Sequence, residues 1–479
     1  MQIRNQPLPN PIFWAFLISF IYWVYLALTS RMIIAFDACN YEDLGRILSG
    51  KHWLDYFLNG PGREPFYPLL ISISMRLGNF FSFPYQMIQV FLQFLILFIT
   101  QLLILRILRL LKISVWISTF TVFYLGVSPA MVNSALSLYS EIATYPLILA
   151  IILLMYKSWV SFPGQKAHII TLAIASGLTF VLMTLNKGIF EVITPVFVSL
   201  FFLSTLLTRN KQFILNAMKY LVIFSVVFYT LIMGYKLTNK ILNGNFMITG
   251  RGGLTLYGSA ARRVEPLTPE RFLTALAYVP GEGICKSIFG QEKCYFWSLF
   301  KINEFGLRKI GELEAMGLRA EEIEKGAVRA ALNKILQNPA QFNLLWFIEG
   351  FKMLFWESTQ IGYVAYSPAL TKFFCWLPLR NGLRFLMSIL TFAALAYLVN
   401  FLLRERKNLF LSQGNIKIIL FLIFLLIFLF CYAYALCIII PRYAFPIVPL
   451  YLIIIAFAFQ KICLISHLKT NTGNTPTRL

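Results

Sequence analysis

Apolar stretches of about 20 residues recur along this chain, each long enough to cross a bilayer core of roughly 30 Å. Backbone N–H and C=O groups in hydrocarbon must be satisfied within their own segment, so such stretches fold as helices. The segments read as Pro11–Phe36, Gln86–Leu105, Ile113–Ala130, Ile142–Tyr156, His168–Leu185, Gly188–Leu207, Phe213–Tyr235, Gly382–Leu403, Ile416–Ile439 and Tyr443–Phe459. With 58% hydrophobic and 13% charged residues and a mean hydropathy of +0.71, the chain has too little charge to cover a soluble surface. The expected class is an all-α polytopic membrane protein with about ten transmembrane helices. The first segment is too long for a cleavable signal and no small-residue cleavage site follows it, so it reads as a retained helix.

Part of the net charge of +22 follows from topology, because Lys and Arg accumulate on the cytoplasmic side, and basic surfaces favour anionic membrane lipids. No aromatic-basic motif or soluble basic domain points to nucleic acid. The clusters Arg106/Arg109/Lys112, Lys157/Lys166, Arg209/Lys211, Arg404/Arg406/Lys407 and Lys461/Lys469 alternate consistently when both termini lie inside. The loop after the first span, the Asn133–Glu141 loop, the long polar stretch and Pro441-Arg442 then lie outside. Asn40–Leu58, Phe66–Phe83 and Phe342–Trp356 read as helices along the outer membrane face.

These features divide the chain into an N-terminal transmembrane module, 1–235, with a first outer loop at 36–85. An outer region at 236–381, C-terminal helices at 382–466 and a polar, disordered tail at 467–479 complete it. The outer region reads as a cap, with amphipathic helix over Glu304–Gln337. Cys285 and Cys294 form a disulfide if the compartment is oxidising; two free thiols are the alternative.

Candidate chemistry concentrates just after the first span. All three aspartates of the chain, Asp37, Asp43 and Asp55, fall there, and a carboxylate placed at a membrane edge is a candidate for chemistry. A general base near basic side chains suits group transfer from a lipid-linked phosphate: the carboxylate takes a proton while Arg or Lys holds the departing phosphate. Each residue also has a structural reading. Asp37 can simply end the first helix. Glu141 is either a partner of Asp37 or an N-terminal helix charge. Arg63 binds phosphate or lipid head groups, and Lys187 sits one turn before Glu191 as a candidate ion pair. Arg442 binds an anion or snorkels. His52 reads as interfacial and Asp55 as a surface or capping residue.

The segment Asp37-Ala-Cys-Asn-Tyr41-Glu-Asp-Leu-Gly45-Arg-Ile-Leu-Ser-Gly50 resembles the first outer loop of GT-C-type glycosyltransferases. Arg63-Glu-Pro65-Phe-Tyr67-Pro68-Leu, Ser140-Glu141, Thr184-Leu-Asn-Lys187-Gly188 and Pro441-Arg442-Tyr443-Ala-Phe-Pro446-Ile-Val-Pro449-Leu-Tyr451 resemble later elements of the protein-mannosyltransferase and aminoarabinose-transferase branch. The match covers most of the membrane part and not the stretch from about Lys236 to Thr371. The resemblance implies a GT-C-like fold and an inverting transferase on the extracytoplasmic face of a bacterial plasma membrane. The donor would be a polyprenyl-phosphate-linked sugar and the acceptor a lipid, a glycan or a protein. It implies Asp37 as base; from their placement Arg63, Lys187 and Arg442 are the candidates for the donor phosphate, with Tyr41, Glu42, Asp43, Tyr67, Glu141 and Tyr443 as candidate support. The family often carries a second acid after its Asp; Ala38 stands there, leaving a divalent metal open and no other cofactor expected. The alternative is a lipid or oligosaccharide transporter or flippase, which the lack of internal repeats and the surface placement of the charges disfavour.

Overall fold

The computed structural model describes residues 10–60, 62–164, 166–208, 210–250, 252–357, 363–405 and 417–472. It is a helical, multi-pass membrane protein. Among the described residues eight helices are long and apolar enough to cross a membrane: Pro11–Thr29, Tyr85–Leu110, Glu141–Ser161, His168–Asn186, Lys211–Asn243, Pro378–Glu405, Lys417–Leu436 and Pro441–Leu464. Val115–Val127 and Pro129–Leu136 form a ninth candidate bent by 44°. The bend falls where Pro129, which lacks an N–H, interrupts the ladder. Phe190–Leu206, a shorter apolar helix, occupies the sixth expected segment, Gly188–Leu207.

One continuous core of buried side chains runs through these helices. Polar residues tie them together where no hydrophobic driving force distinguishes helix from lipid. The Trp23 indole N–H donates to the Gly126 carbonyl at 2.7 Å, and Gln93 Nε2 donates to the Ala135 carbonyl at 2.7 Å.

Several expected boundaries move. The first span ends at Thr29, not Phe36. Residues Arg31–Met32 instead pair antiparallel with Val364–Ala365, the strand pair that interrupts an otherwise helical chain. The Ile33 N–H continues this link to the Tyr363 carbonyl at 3.2 Å. The boundary at 235/236 falls inside the helix Lys211–Asn243, which stops at Gly244, whose φ of 79° suits a residue without a side chain. The expected single amphipathic helix over Glu304–Gln337 is two, Leu299–Ala315 and Ala320–Gln337, separated by the turn at Gly317. Phe342–Trp356 divides into the helix Pro339–Gly350 and a 3-10 turn at Phe351–Leu354. The last helix runs to Thr472, so the expected disordered tail is helical at its start. Arg209, Arg406 and Lys407, Ile416 at the start of one expected span, and residues 473–479 lie outside the described residues.

The polar stretch folds into helices: Leu299–Ala315, Ala320–Gln337 and Pro339–Gly350 pack on Gly252–Val264, while Pro269–Tyr278, Glu282–Phe289 and Gln291–Tyr295 pack on one another. Cys285 and Cys294 are disulfide-bonded there. Arg262 and Arg263, each 1% exposed, both pair with Glu349 on Pro339–Gly350. Arg263 also donates to the carbonyls of Ala435 and Leu436 at the end of Lys417–Leu436. One buried carboxylate and two helix-terminal carbonyls thus lock the polar region onto the membrane bundle.

The helix Asp37–Ser49 carries the first candidate site residue and packs on Phe66–Phe81. Gly45 makes that approach possible: a Cβ there would come within 2.6 Å of Ile71 Cγ2. This contact sets where Asp37, two turns earlier, meets the bundle.

Candidate active site

Asp37 is the first residue of its helix, where a negative charge is favoured by the helix dipole. The preceding Phe36 has φ 54° and ψ −124° and is 77% exposed. A bulky residue in that region is strained, and the strain lies one peptide bond from the carboxylate. The strand pair just before it restricts how the chain can relax.

Two arginines from opposite ends of the chain converge on Asp37. Arg63 Nη2 donates to Oδ1, and Arg442 Nη2 donates to Oδ2. Arg63 lies in the turn ahead of Phe66–Phe81; its carbonyl accepts from the Tyr56 hydroxyl at 2.7 Å, and its guanidinium stacks over Tyr41 at 5.0 Å. Arg442 lies in the 3-10 segment Pro441–Ile447, over the ring of Tyr139 at 4.4 Å and beside Tyr363 at 5.9 Å.

Behind this pair lies a second, more deeply buried one. Lys187 Nζ donates to Glu141 Oε1 at 3.0 Å, and Arg442 Nε lies 3.8 Å from the same oxygen. Glu141 opens the helix Glu141–Ser161 and is 2% exposed. Asn186 Nδ2 donates to the Ser140 carbonyl and the Thr144 hydroxyl, holding the loop before Glu141 against the end of the helix Lys166–Asn186. Three cations therefore contact two carboxylates, and Arg442 joins both pairs.

Burial alone pushes the Asp37 carboxyl up, but the Arg442 and Arg63 charges and hydrogen bonds outweigh it and hold it below its ordinary 3.8. Asp37 is ionised at neutral pH and, while both arginines hold it, a weak base. The Tyr41 hydroxyl, buried and hydrogen-bonded with Ser140 Oγ at 3.0 Å, is pushed up by burial and stays protonated.

The structure brings together Asp37, Arg63, Arg442, Glu141, Lys187 and Tyr41, with Tyr443 alongside, its ring 5.6 Å from Lys187 Nζ. It separates the others. Glu42 turns away to Arg46 at 3.0 Å and the Tyr85 hydroxyl at 2.7 Å. Asp43 is exposed. Tyr67 lies behind Tyr41, its hydroxyl donating to Gln93 Oε1 at 2.5 Å, and shapes the wall without reaching the cluster. Glu191 is not the partner of Lys187: it pairs with Lys236, because the chain turns at Gly188 and directs the two side chains apart.

Three residues near the cluster escaped the sequence. Glu64 accepts from the Gly188 N–H at 2.7 Å, joining the Arg63 turn to the Lys187 turn; its adjacency to Arg63 was the available signal. Tyr139 and Tyr363 pack edge to face at 4.8 Å against Arg442. Nothing in the sequence marks Tyr363, which the strand pair brings in. Among the described residues no three His, Cys, Asp or Glu side chains converge as a metal site would require. The nearby carboxylates Asp37 and Glu141 are each matched to cations, an arrangement that does not fit a resident divalent ion.

Comparison with protein-family models, with curated proteins and with solved structures returns no match. What the site does must be read from its own geometry.

Proposed function

We propose that this protein is an inverting membrane glycosyltransferase that moves a sugar from a polyprenyl-phosphate donor to an acceptor hydroxyl or amine. The observation that carries this reading is the clamp on Asp37 by Arg63 and Arg442. A carboxylate held by two guanidiniums at a membrane edge is a base kept inactive until an anion arrives. The donor phosphate competes for the same forked N–H donors, which suit phosphate oxygens as well as carboxylate oxygens. As it takes them, Asp37 loses the charges that depress its pKa and becomes a stronger base.

The step then balances. The acceptor oxygen or nitrogen bonds to the anomeric carbon as the carbon–oxygen bond to phosphate breaks. The acceptor proton passes to Asp37, and the electron pair leaves on the lipid phosphate. Arg63 and Arg442 neutralise the charge that grows there. Attack opposite the leaving phosphate inverts the anomeric centre. Lys187 and Glu141 keep Arg442 in position from behind. The basic clusters on the opposite loops support an extracytoplasmic placement of the site, in the plasma membrane of a bacterium.

Purified protein in nanodiscs, given polyprenyl-phosphate sugars and candidate acceptors, tests the reading. Turnover by wild type and its loss in a folded Asp37→Asn variant support it. Equal turnover by the variant removes Asp37 as base. Substrate flux into liposomes without turnover from any donor overturns the enzyme in favour of a transporter or flippase.

A further inference from the structure

Next to the Asp37 cluster, beyond residues 437–441, lies a cavity of about 540 Å³ between the polar region and the start of Leu377–Glu405. That volume is in the range of small-ligand sites. Its cations are Arg262, Lys286, Lys352, Arg380 and Arg384. Its two carboxylates are already committed. Glu349 holds Arg262 and Arg263 and lies 3.3 Å from Lys352, while Glu282 holds Lys286 at 2.8 Å.

Arg380 and Arg384 are thereby left over. Among the described residues neither is paired with a carboxylate, and Arg384 Nε is buried without a hydrogen-bond partner. They stand one turn apart at the start of a long helix, whose N-terminal N–H groups add positive potential. Arg384 is half-buried and Arg380 exposed, and an enclosed guanidinium nitrogen such as Arg384 Nε is costly to leave unmatched, a cost an anion on the fork would offset. The fold also makes room for it. Gly281 has φ 149°, and a Cβ there would lie 3.0 Å from Arg384 Nη1, so the guanidinium rests against bare backbone. Glu349, which could have neutralised this wall, is turned toward the buried arginines on Gly252–Val264.

We infer that this cavity binds a phosphate-bearing group, with Arg384 and Arg380 as its principal ligands. The site is distinct from the Asp37 cluster and stands whether or not Asp37 supports transfer. Two neighbouring guanidinium forks favour a phosphate or pyrophosphate, whose several oxygens they can share, over a single-point anion. The group is either a soluble phosphate ester or a lipid head group, since the start of Leu377–Glu405 is also the start of a candidate membrane span.

The test uses the full chain in nanodiscs and reads hydrogen exchange in residues 278–286 and 379–386. One arm adds inorganic pyrophosphate to neutral-lipid discs; the other replaces neutral lipid with phosphatidic acid. Saturable protection in the first arm identifies a soluble ligand, and protection in the second a lipid head group. Arg380→Gln with Arg384→Gln weakens the response by about tenfold or more, and Arg384→Lys restores part of it. Arg63→Gln, in the neighbouring cluster, leaves protection of these two segments unchanged. No protection in either arm overturns the assignment, as does an unchanged response in the folded Arg380→Gln/Arg384→Gln variant.

Discussion

Glu141→Gln and Lys187→Met are expected to destabilise the bundle unequally, although they remove the two halves of one ion pair. The pair is 3.0 Å apart, with side chains 2% and 10% exposed. At an effective dielectric of about 20, that separation corresponds to roughly 5.5 kcal/mol of attraction. Glu141 has a second cation, Arg442, with Nε at 3.8 Å; on the same scale this is roughly 4.4 kcal/mol. Lys187→Met therefore leaves Glu141 still matched and spares the cost of burying an ammonium, for a net loss of about 2 kcal/mol. Glu141→Gln leaves Lys187 with no acid in contact among the described residues and beside Arg442, for a loss of about 3–5 kcal/mol. The double variant removes the orphaned lysine and recovers about 2 kcal/mol of that. Denaturant titration in mixed micelles, followed by circular dichroism, measures all four proteins. Equal losses in the single variants that add within about 0.5 kcal/mol in the double would refute the shared role of Arg442.

The remaining predictions concern pH and the disulfide. Because the Asp37 pKa in the fold lies below its ordinary 3.8, its ion pairs contribute fully above that value and are lost as pH falls through the depressed one. The gap in thermal stability between wild type and Asp37→Asn should be full at neutral pH and close in strong acid; a gap independent of pH would contradict this. Reducing Cys285–Cys294 should weaken the polar region by about 2.5 kcal/mol, the loop entropy that a link of this span removes. Faster hydrogen exchange around Pro269–Trp297, with the membrane helices unchanged, is the expected readout. Uniform loosening of the whole chain would show that the region does not unfold by itself.

The membrane class and the helix positions were legible because they depend on local composition. Each apolar segment satisfies its own backbone, so the expected spans recur as helices even where their ends moved. The ends moved because termini are decided by partners. Residues 31–33 leave the first helix to pair with 363–365, more than three hundred positions away. Asp37, Arg63, Glu141, Lys187 and Arg442 could each be marked from the sequence, since charges flanking apolar segments are costly and few.

Who pairs with whom could not be read there. Spacing suggested Lys187 with Glu191; the turn at Gly188 gives Lys187 to Glu141 and Glu191 to Lys236. Arg63 and Arg442, marked separately as anion ligands, meet on a single carboxylate only because the bundle closes 405 residues of separation. The Arg262–Arg263–Glu349 lock and the unmatched Arg384 were likewise invisible, as each looks like an ordinary surface charge until packing buries the first group and encloses Arg384 Nε. Composition and local pattern determined that this chain enters a membrane, and where; the cost of leaving a buried charge unmatched, settled only in three dimensions, decided which residues form its sites.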